Sequence, residues 1–507
     1  MICANPDITM TKDAAMRNKG WVVTFAGMGI NLALGVLYTW SVIKKAIPSE
    51  WGWSDADKAL PYSIACIVFA IVMVPAGRLQ DRIGPRWVAT AGGILTGTGF
   101  IIASYAVTLL WFVIGFGIFA GAGFGLGYAS ATPPAVKWFS ARKTGLIAGL
   151  VVAGFGLASV YISPIANHLT GFTISGKPVP ELELLAKEQT RLENELRNAQ
   201  AALQAEHIEP GSAEILRATL ERLEIAAKEM ALKDADARLL ALKERNIHRT
   251  LFYFGLGFLV VVTLLAQFLF APPSGYQPPD SNTGNARAPA AAINLGPGEI
   301  LRTPLFYLLW AMYAFAAGAG LMIIGNVTTI AKLGKIDAGF ILVALLAIGN
   351  AAGRIIAGML SDRIGRLWTM CIIFLFQAGL MMVLRTGLTD MAAFVAVSML
   401  LGFNYGACLS VFPSAVKDYF GLKNFGINYG LVFTAWGAGG FVFPLLAGKL
   451  FEAAKKTTGS GSYNDAYLTA ASVLVLAAML TFLARTVERN YKATVSIKNF
   501  KQTLYGK

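Results

Sequence analysis

The sequence predicts an all-α membrane protein of about twelve transmembrane helices in two related six-helix halves, with a coiled-coil hairpin outside the bilayer. Three observations carry that prediction. The 507 residues are 55% hydrophobic and only 14% charged, too apolar and too long for one soluble core. Apolar runs of ~20 residues, each enough to cross ~30 Å of hydrocarbon as a helix, recur from Trp21 to Leu483. The phrase GRLQDRIG at Gly77 to Gly84 returns as GMLSDRIG at Gly358 to Gly365, 281 positions later.

The repeat extends beyond that phrase. Pro133 to Lys137 (PPAVK) answers Pro413 to Lys417 (PSAVK), and Gly145, Gly149 and Gly156 answer Gly426, Gly430 and Gly437. A duplicated six-helix bundle is a common body plan of secondary transporters, with the halves related by an axis along the membrane normal and a polar cavity between them near mid-depth.

In chain order, residues 1–20 are polar, carry Asp7, Lys12, Asp13, Arg17 and Lys19, and lack the pattern of a cleaved signal, so they form a cytoplasmic tail before an uncleaved first helix. The first half spans 21–270, with apolar runs at 21–43, 59–77, 87–106, 109–131, 144–166 and 250–270. Glycine runs from Gly115 to Gly127 and Gly145 to Gly156 suit close helix packing in lipid. Within this half, 175–247 is an extracytoplasmic insertion rich in Glu, Lys, Arg, Ala and Leu. Leu185, Leu192, Leu196, Ala199 and Leu203, then Leu216, Leu220, Leu223, Ala227 and Met230, keep a heptad spacing around Pro210-Gly211-Ser212. Two antiparallel coil strands with a Pro-Gly tip and a Ser212 N-cap are expected. Its balanced charge reads as a solvated face, and 177–246 is either an inert insertion or a candidate surface for a protein partner.

Residues 271–302 hold six prolines among Gly, Ser and Asn, a composition suited to a flexible cytoplasmic linker. The second half spans 303–487, with runs at 303–328, 338–359, 368–386, 391–412, 425–448 and 466–485, and 488–507 is a cytoplasmic tail.

The net charge of +14 sorts by side of the membrane. Loops and tails assigned inside hold about 21 Lys and Arg against about 9 in the short outer loops, which sets both termini in the cytoplasm of a multi-pass plasma (inner) membrane protein. Contact with anionic lipid accounts for this charge, and nucleic acid is not an expected partner. The cysteines Cys3, Cys66, Cys371 and Cys408 lack metal-ligand spacing. The histidines His168, His207 and His248 lie at or beyond span ends, and no nucleophile elbow or phosphate loop occurs. The expectation is therefore no enzyme, cofactor or metal.

Arg354 is the informative residue, the one ionisable side chain read as deep within a span. It lies eight residues before Asp362, ~12 Å inside along a helix axis. Guanidinium stays charged, so it needs an anion. Its counterpart at the 281 offset is Met73, and no acid occupies the deep part of any span. A substrate carboxylate held by bidentate contacts would supply the anion. The alternative is an arginine bonded to helix carbonyls to fix packing. Asn350, one turn earlier, shares its face, and Gly349, Ala351, Ala352 and Gly353 leave room around it. Tyr38, Trp40, Tyr128, Tyr405 and Trp436 could wall a small-anion cavity or serve as ordinary core rings. In the repeated loops, Asp81 and Arg82, with Asp362 and Arg363, read either as a latch at the cytoplasmic helix ends or as topological charge.

With GRLQDRIGPRW and its echo GMLSDRIGR, the chain resembles the major facilitator superfamily. Outside 172–248 it is similar to the oxalate/formate antiporter and bacterial monocarboxylate transporter group, through NLALGVLYTWSV from Asn31, GFGLGYASATPPAVKWF from Gly123 and FPSAVKDYFGLKNFGINYGLVFTAWG from Phe412. The resemblance implies that Arg354 is the eighth-helix arginine that binds substrate carboxylate and that Tyr38, Tyr128 and Tyr405 line the cavity. Two positions depart from the relatives. Trp436 stands where the oxalate antiporter carries a second cation, which favours a monoanion such as formate, lactate or pyruvate over oxalate. Asn350 and Trp40 stand where proton-coupled animal relatives carry Asp and Lys, which leaves antiport, facilitated diffusion or protonation of the substrate itself. Rivals are an oxalate/formate-type dicarboxylate antiporter and a membrane sensor or scaffold signalling through the outer hairpin. An exporter of hydrophobic cations would need an intramembrane acid.

Overall fold

A polypeptide in hydrocarbon must satisfy its backbone polar groups internally, and a chain this apolar does so by helix alone. The computed structural model describes residues 6–139, 144–172, 178–205, 212–273, 276, 294–336, 341–421 and 424–505. Among them are twelve helices long and apolar enough to cross a membrane: Lys19–Ala46, Asp55–Ile83, Pro85–Ser104, Leu109–Lys137, Leu146–Leu169, Thr219–Ala266, Pro304–Ile324, Ile341–Ile364, Arg366–Arg385, Met391–Phe420, Phe425–Thr458 and Asn464–Arg489. Six precede residue 270 and six follow it.

Local chemistry sets the breaks between spans. Ser54 and Asp57 form a reciprocal capping box at the start of the second span, with Ser54 Oγ accepting from the Asp57 amide at 3.1 Å and Asp57 Oδ2 accepting from the Ser54 amide at 3.0 Å. Gly84 and Gly365, which end the two copies of the repeated phrase, have φ of +92° and +91°. L-residues with a side chain rarely adopt this backbone, so the tight turn requires glycine in each copy.

The second span lies along the eleventh and the fifth along the eighth, and these two pairings form much of the seam between the two sets of six. On the side where the chain runs out into the insertion, here the hairpin side, cross-seam hydrogen bonds close the bundle. Lys44 Nζ donates to Asn326 Oδ1 at 2.8 Å, Thr328 Oγ1 to the Ser41 carbonyl at 2.9 Å, and the Ala56 amide to Glu452 Oε1 at 3.0 Å. On the opposite, linker side, Gly77 approaches the backbone of Gly426, and Val74 approaches Gly430.

The insertion contains two helices, Pro180–Ala205 and Ser212–Ala266. Ion pairs Arg238–Glu188 at 3.2 Å and Arg245–Glu181 at 3.3 Å show that they run antiparallel. Residues 206–211, including Pro210-Gly211, lie outside the described residues, as does most of the proline-rich 271–302 segment.

The heptad register expected for the second of these helices is corrected. In the first helix Leu185, Leu192, Leu196 and Ala199 are half-buried as expected. The second helix turns Ile225, Leu232, Ala235, Leu239 and Leu242 inward, while Leu220, Leu223 and Met230 are exposed. The physical reason is continuity: one helix of 55 residues carries both insertion and sixth span, so packing in the bundle fixes its rotation. The base is further clasped to the loop after the first span, where Lys243 Nζ meets Glu50 Oε1 at 2.6 Å and Trp51 Nε1 donates to Glu244 Oε1 at 2.7 Å.

Candidate functional site

Glycine places the eighth and tenth spans in direct backbone contact. A Cβ at Gly349 or Gly353 would overlap the carbonyls of Met399 and Phe403, and one at Gly402 or Gly406 would overlap those of Leu346 and Asn350. Two reciprocal small-xxx-small pairs therefore lock these helices together. The small residues Gly349, Ala351, Ala352 and Gly353 are expected to leave room around Asn350, but the tenth span fills the space beside Gly349 and Gly353. What the glycines achieve is position: Arg354 follows Gly353 and Tyr405 precedes Gly406, so both side chains emerge from one rigid pair of helices.

Arg354 is 4% exposed and Asn350 fully buried. Arg354 Nε donates to Asn350 Oδ1 at 3.0 Å, and Arg354 Nη1 donates to the Val152 carbonyl of the fifth span. Gly156 lies against the pair: a Cβ there would sit in van der Waals contact with the guanidinium carbon at 3.5 Å and with Asn350 Oδ1 at 3.4 Å. The guanidinium thus faces the other set of six helices and not the lipid. Among the described residues no Asp or Glu forms an ion pair with it. Asn350 Nδ2, buried beside it, has no hydrogen-bond partner. A fixed cation with an unused amide donor at its side is an arrangement suited to a planar anion.

Four of the expected aromatic residues meet here. Tyr38 and Tyr405 share a hydroxyl–hydroxyl bond of 2.7 Å, and Trp436 Nε1 donates to Tyr405 Oη at 2.8 Å. Tyr128 stacks on Phe433 at 6.0 Å, and Phe433 stacks on Trp436 at 4.9 Å. Phe155 stands edge-on to both Tyr38 and Tyr128, at 5.0 and 5.4 Å. Tyr38 lies in a 3-10 turn, Gly35–Thr39, that interrupts the first span, an irregularity common at functional positions.

Sequence reasoning missed Phe69, Phe155 and Phe433. Two had a signal: Phe155 adjoins Gly156, and Phe433 precedes Trp436 by three positions on one helix face. Phe69, edge-on to Trp436 at 5.1 Å, had none. Trp40 is placed elsewhere. Its ring packs on Phe116 at 4.5 Å and Tyr62 at 6.2 Å within the first six helices, with Nε1 lacking a partner.

The residues of the repeated loops pair within their own half. Asp81 Oδ1 meets Lys137 Nζ at 3.1 Å and Gln80 Nε2 at 2.9 Å. Asp362 meets Arg366 at 2.6 Å, and Arg366 Nε also meets Asp418 at 2.8 Å. Arg82 and Arg363 enter none of these pairs. A second buried cation lies at the end of a span, not deep within it. Because the first span continues to Ala46, Lys44 is helical and 4% exposed, and it lies 3.5 Å from Asp55 as well as bonding Asn326.

The family model described as Major Facilitator Superfamily matches residues 21–175 and 331–503. The chain belongs to the Major Facilitator Superfamily. Within that superfamily it is 25% identical over 423 residues to an uncharacterised MFS-type transporter, YhjX, of Escherichia coli (strain K12), covering 83% of this chain and 85% of the relative. It is 23% identical over 487 residues to the oxalate:formate antiporter of Oxalobacter formigenes, covering 95% of each. Monocarboxylate transporter 11 of Mus musculus is 30% identical over 151 residues, 30% of this chain and 34% of that one. The fold is similar to that of a bacterial homologue of the human lysosomal transporter Spinster, solved inward-facing and unoccupied, with a TM-score of 0.57 at 15% identity over 93% of this chain and 98% of that one. The match to this superfamily and the twelve apolar helices make the chain a multi-pass membrane protein of a transporter family.

Proposed function

We propose that this member of the superfamily carries small monocarboxylate anions of the formate, lactate and pyruvate type by alternating access, with Arg354 as anion anchor. The observation that carries the reading is the buried Arg354 guanidinium without a carboxylate partner among the described residues, beside the unpartnered Nδ2 of Asn350. Tyr38, Tyr128, Tyr405 and Trp436 serve as walls with hydroxyl and indole donors. One guanidinium facing the substrate matches one negative charge. Trp40, packed within the first six helices, supports the first-span wall from behind.

Asp81 and Asp362, with Arg82 and Arg363 at the same turns, act as the cytoplasmic latch, and Lys137, Arg366 and Asp418 are its partners. The division into tails 1–20 and 488–507, halves 21–270 and 303–487, insertion 175–247 and linker 271–302 is part of the same reading, with both termini cytoplasmic in the inner membrane. The insertion is an outer coiled-coil hairpin.

A second reading, exchange of a dicarboxylate as in an oxalate:formate antiporter, is favoured by the relative of that name that matches over 95% of the chain. Counterflow in proteoliposomes against formate, lactate, pyruvate and oxalate decides between them. The monocarboxylate reading expects exchange of the first three and predicts that Arg354→Gln abolishes it. Exchange of oxalate alone would replace it with the second reading, and full flux in Arg354→Gln would remove the anchor.

A further inference from the structure

On the hairpin side, away from Arg354, a second concentration of positive charge is built into the seam. A pocket of about 150 Å³ is lined by Lys44, Lys45, Asp55 and Lys58 from the first six helices and by Thr328, Thr329 and Lys332 from the second six. Four lysines and one aspartate line it, and with Lys45 Nζ lying 4.3 Å over the Phe172 ring, Lys44, Lys58 and Lys332 are left around Asp55. That carboxylate, Asp55, is engaged with Lys44 at 3.5 Å, and Lys44 is 4% exposed. Among the described residues neither Lys58 nor Lys332 forms an ion pair.

Like charges brought together around a small volume repel, and an anion between them reverses the sign of the interaction. The pocket holds the equivalent of roughly five waters at ~30 Å³ each, enough for one carboxylate of one to three carbons with some hydration. Thr328 Oγ1 is committed to the Ser41 carbonyl, so the lysines are the main donors. Because Lys44 also bonds Asn326 across the seam at 2.8 Å, an anion that draws Lys44 toward itself competes with a bond that keeps this side closed.

We propose that Lys44, Lys58 and Lys332 form a recruiting site for small carboxylates at the hairpin-side mouth, occupied before the anion reaches Arg354. The proposal rests on the monocarboxylate reading above and adds a second site to it. An opposite charge concentrated at a mouth raises local anion concentration and speeds entry from that side alone. Lys58 and Lys332 are the residues to vary, since both lie outside the Arg354 site.

The test uses the full-length protein in phosphatidylcholine nanodiscs, titrated with ¹³C-formate by NMR. Arg354→Gln removes the central anchor, and residual formate binding on the order of 1 mM is expected. Adding Lys58→Gln and Lys332→Gln should weaken that binding by about fivefold or more. In sided proteoliposomes the double lysine variant with Arg354 intact should raise KM by a similar factor for formate presented at the hairpin side, leaving KM at the other side and kcat unchanged. The proposal is overturned if Arg354→Gln protein binds no formate, if the lysine changes leave binding unaltered, or if equal chloride displaces formate as well as formate itself does. Carrier failure is read separately: lysine-dependent binding without carboxylate flux would sink the transport reading and keep the site.

Discussion

Tyr38 and Tyr405 lie 367 residues apart in the chain and share a hydrogen bond of 2.7 Å, which Trp436 Nε1 extends with a bond of 2.8 Å to the same Tyr405 oxygen. One hydroxyl thus ties the first span to the tenth and eleventh, across the seam between the two sets of six helices. A seam of this kind must part on one side if the anchor site is to open. A single shared hydroxyl is a suitable fastening, because a buried hydrogen bond contributes only about 0.5–1.5 kcal/mol net.

Tyr405→Phe removes the shared oxygen and leaves a buried indole N–H and a buried tyrosine hydroxyl without partners. A cost of about 1–3 kcal/mol is expected, read as a lower unfolding midpoint in detergent. Tyr38→Phe leaves Tyr405 bonded to Trp436 and should cost less. Equal shifts for the two variants would contradict the role given to Tyr405.

Arg354→Lys keeps the charge but loses the planar donor set that reaches Asn350 and Val152 together. Counterflow should fall by about 100-fold, and Arg354→Gln should fall to background while eluting as a monodisperse protein. A lysine variant with near-normal flux would mean that charge alone suffices.

Gly353→Ala and Gly406→Ala each place a methyl group onto a carbonyl of the facing helix. Overpacking of this kind costs about 1–3 kcal/mol and should displace Arg354 or Tyr405 with it. Expression yield and flux should fall together. Gly379→Ala, at a position with open space around its Cβ, is the control and should be silent.

The clasp at the base of the insertion should weaken in acid. Partial burial pushes the Glu50 carboxyl up, but its hydrogen bonds, including that from Lys243, outweigh this and hold its pKa below the usual carboxylate range. A depressed pKa means that the stabilisation is complete above the ordinary carboxylate value and is lost as pH falls through the lowered one. Protection factors for the amides around Ala235 to Leu242, corrected for the slower intrinsic exchange in acid, should therefore fall at acidic pH in the natural protein, while Glu50→Gln should show lower protection already at pH 7. Identical protection in the two proteins at neutral pH would remove the clasp.

Deleting 177–246 should leave counterflow intact if the chain is a carrier, because the residues around Arg354 all lie outside that segment. Loss of flux in a folded deletion variant would favour the sensor or scaffold reading.

Several features were legible in advance because the solvent enforces them. Crossing hydrocarbon demands continuous apolar helix, so the spans show in composition alone. A turn between spans that needs positive φ demands glycine, so Gly84 and Gly365 mark both copies of the repeat. A deep cation is costly, so Arg354 stands out without any structure.

What the sequence by itself determined is therefore the number of spans, the repeat between them and the presence of a cation deep within one of them. Only the tertiary structure decided which rings surround it. Phe69, Phe155 and Phe433 have the same composition as lipid-facing residues, because lipid tails and protein interior are equally apolar and leave no polarity signal to tell one helix face from another. The same holds for the carbonyl of Val152, which any residue could supply. The rotation of the long insertion helix and the burial of Lys44 were decided by packing at a distance, through a continuous helix and a cross-seam bond to Asn326. Periodicity within one segment carries no record of either.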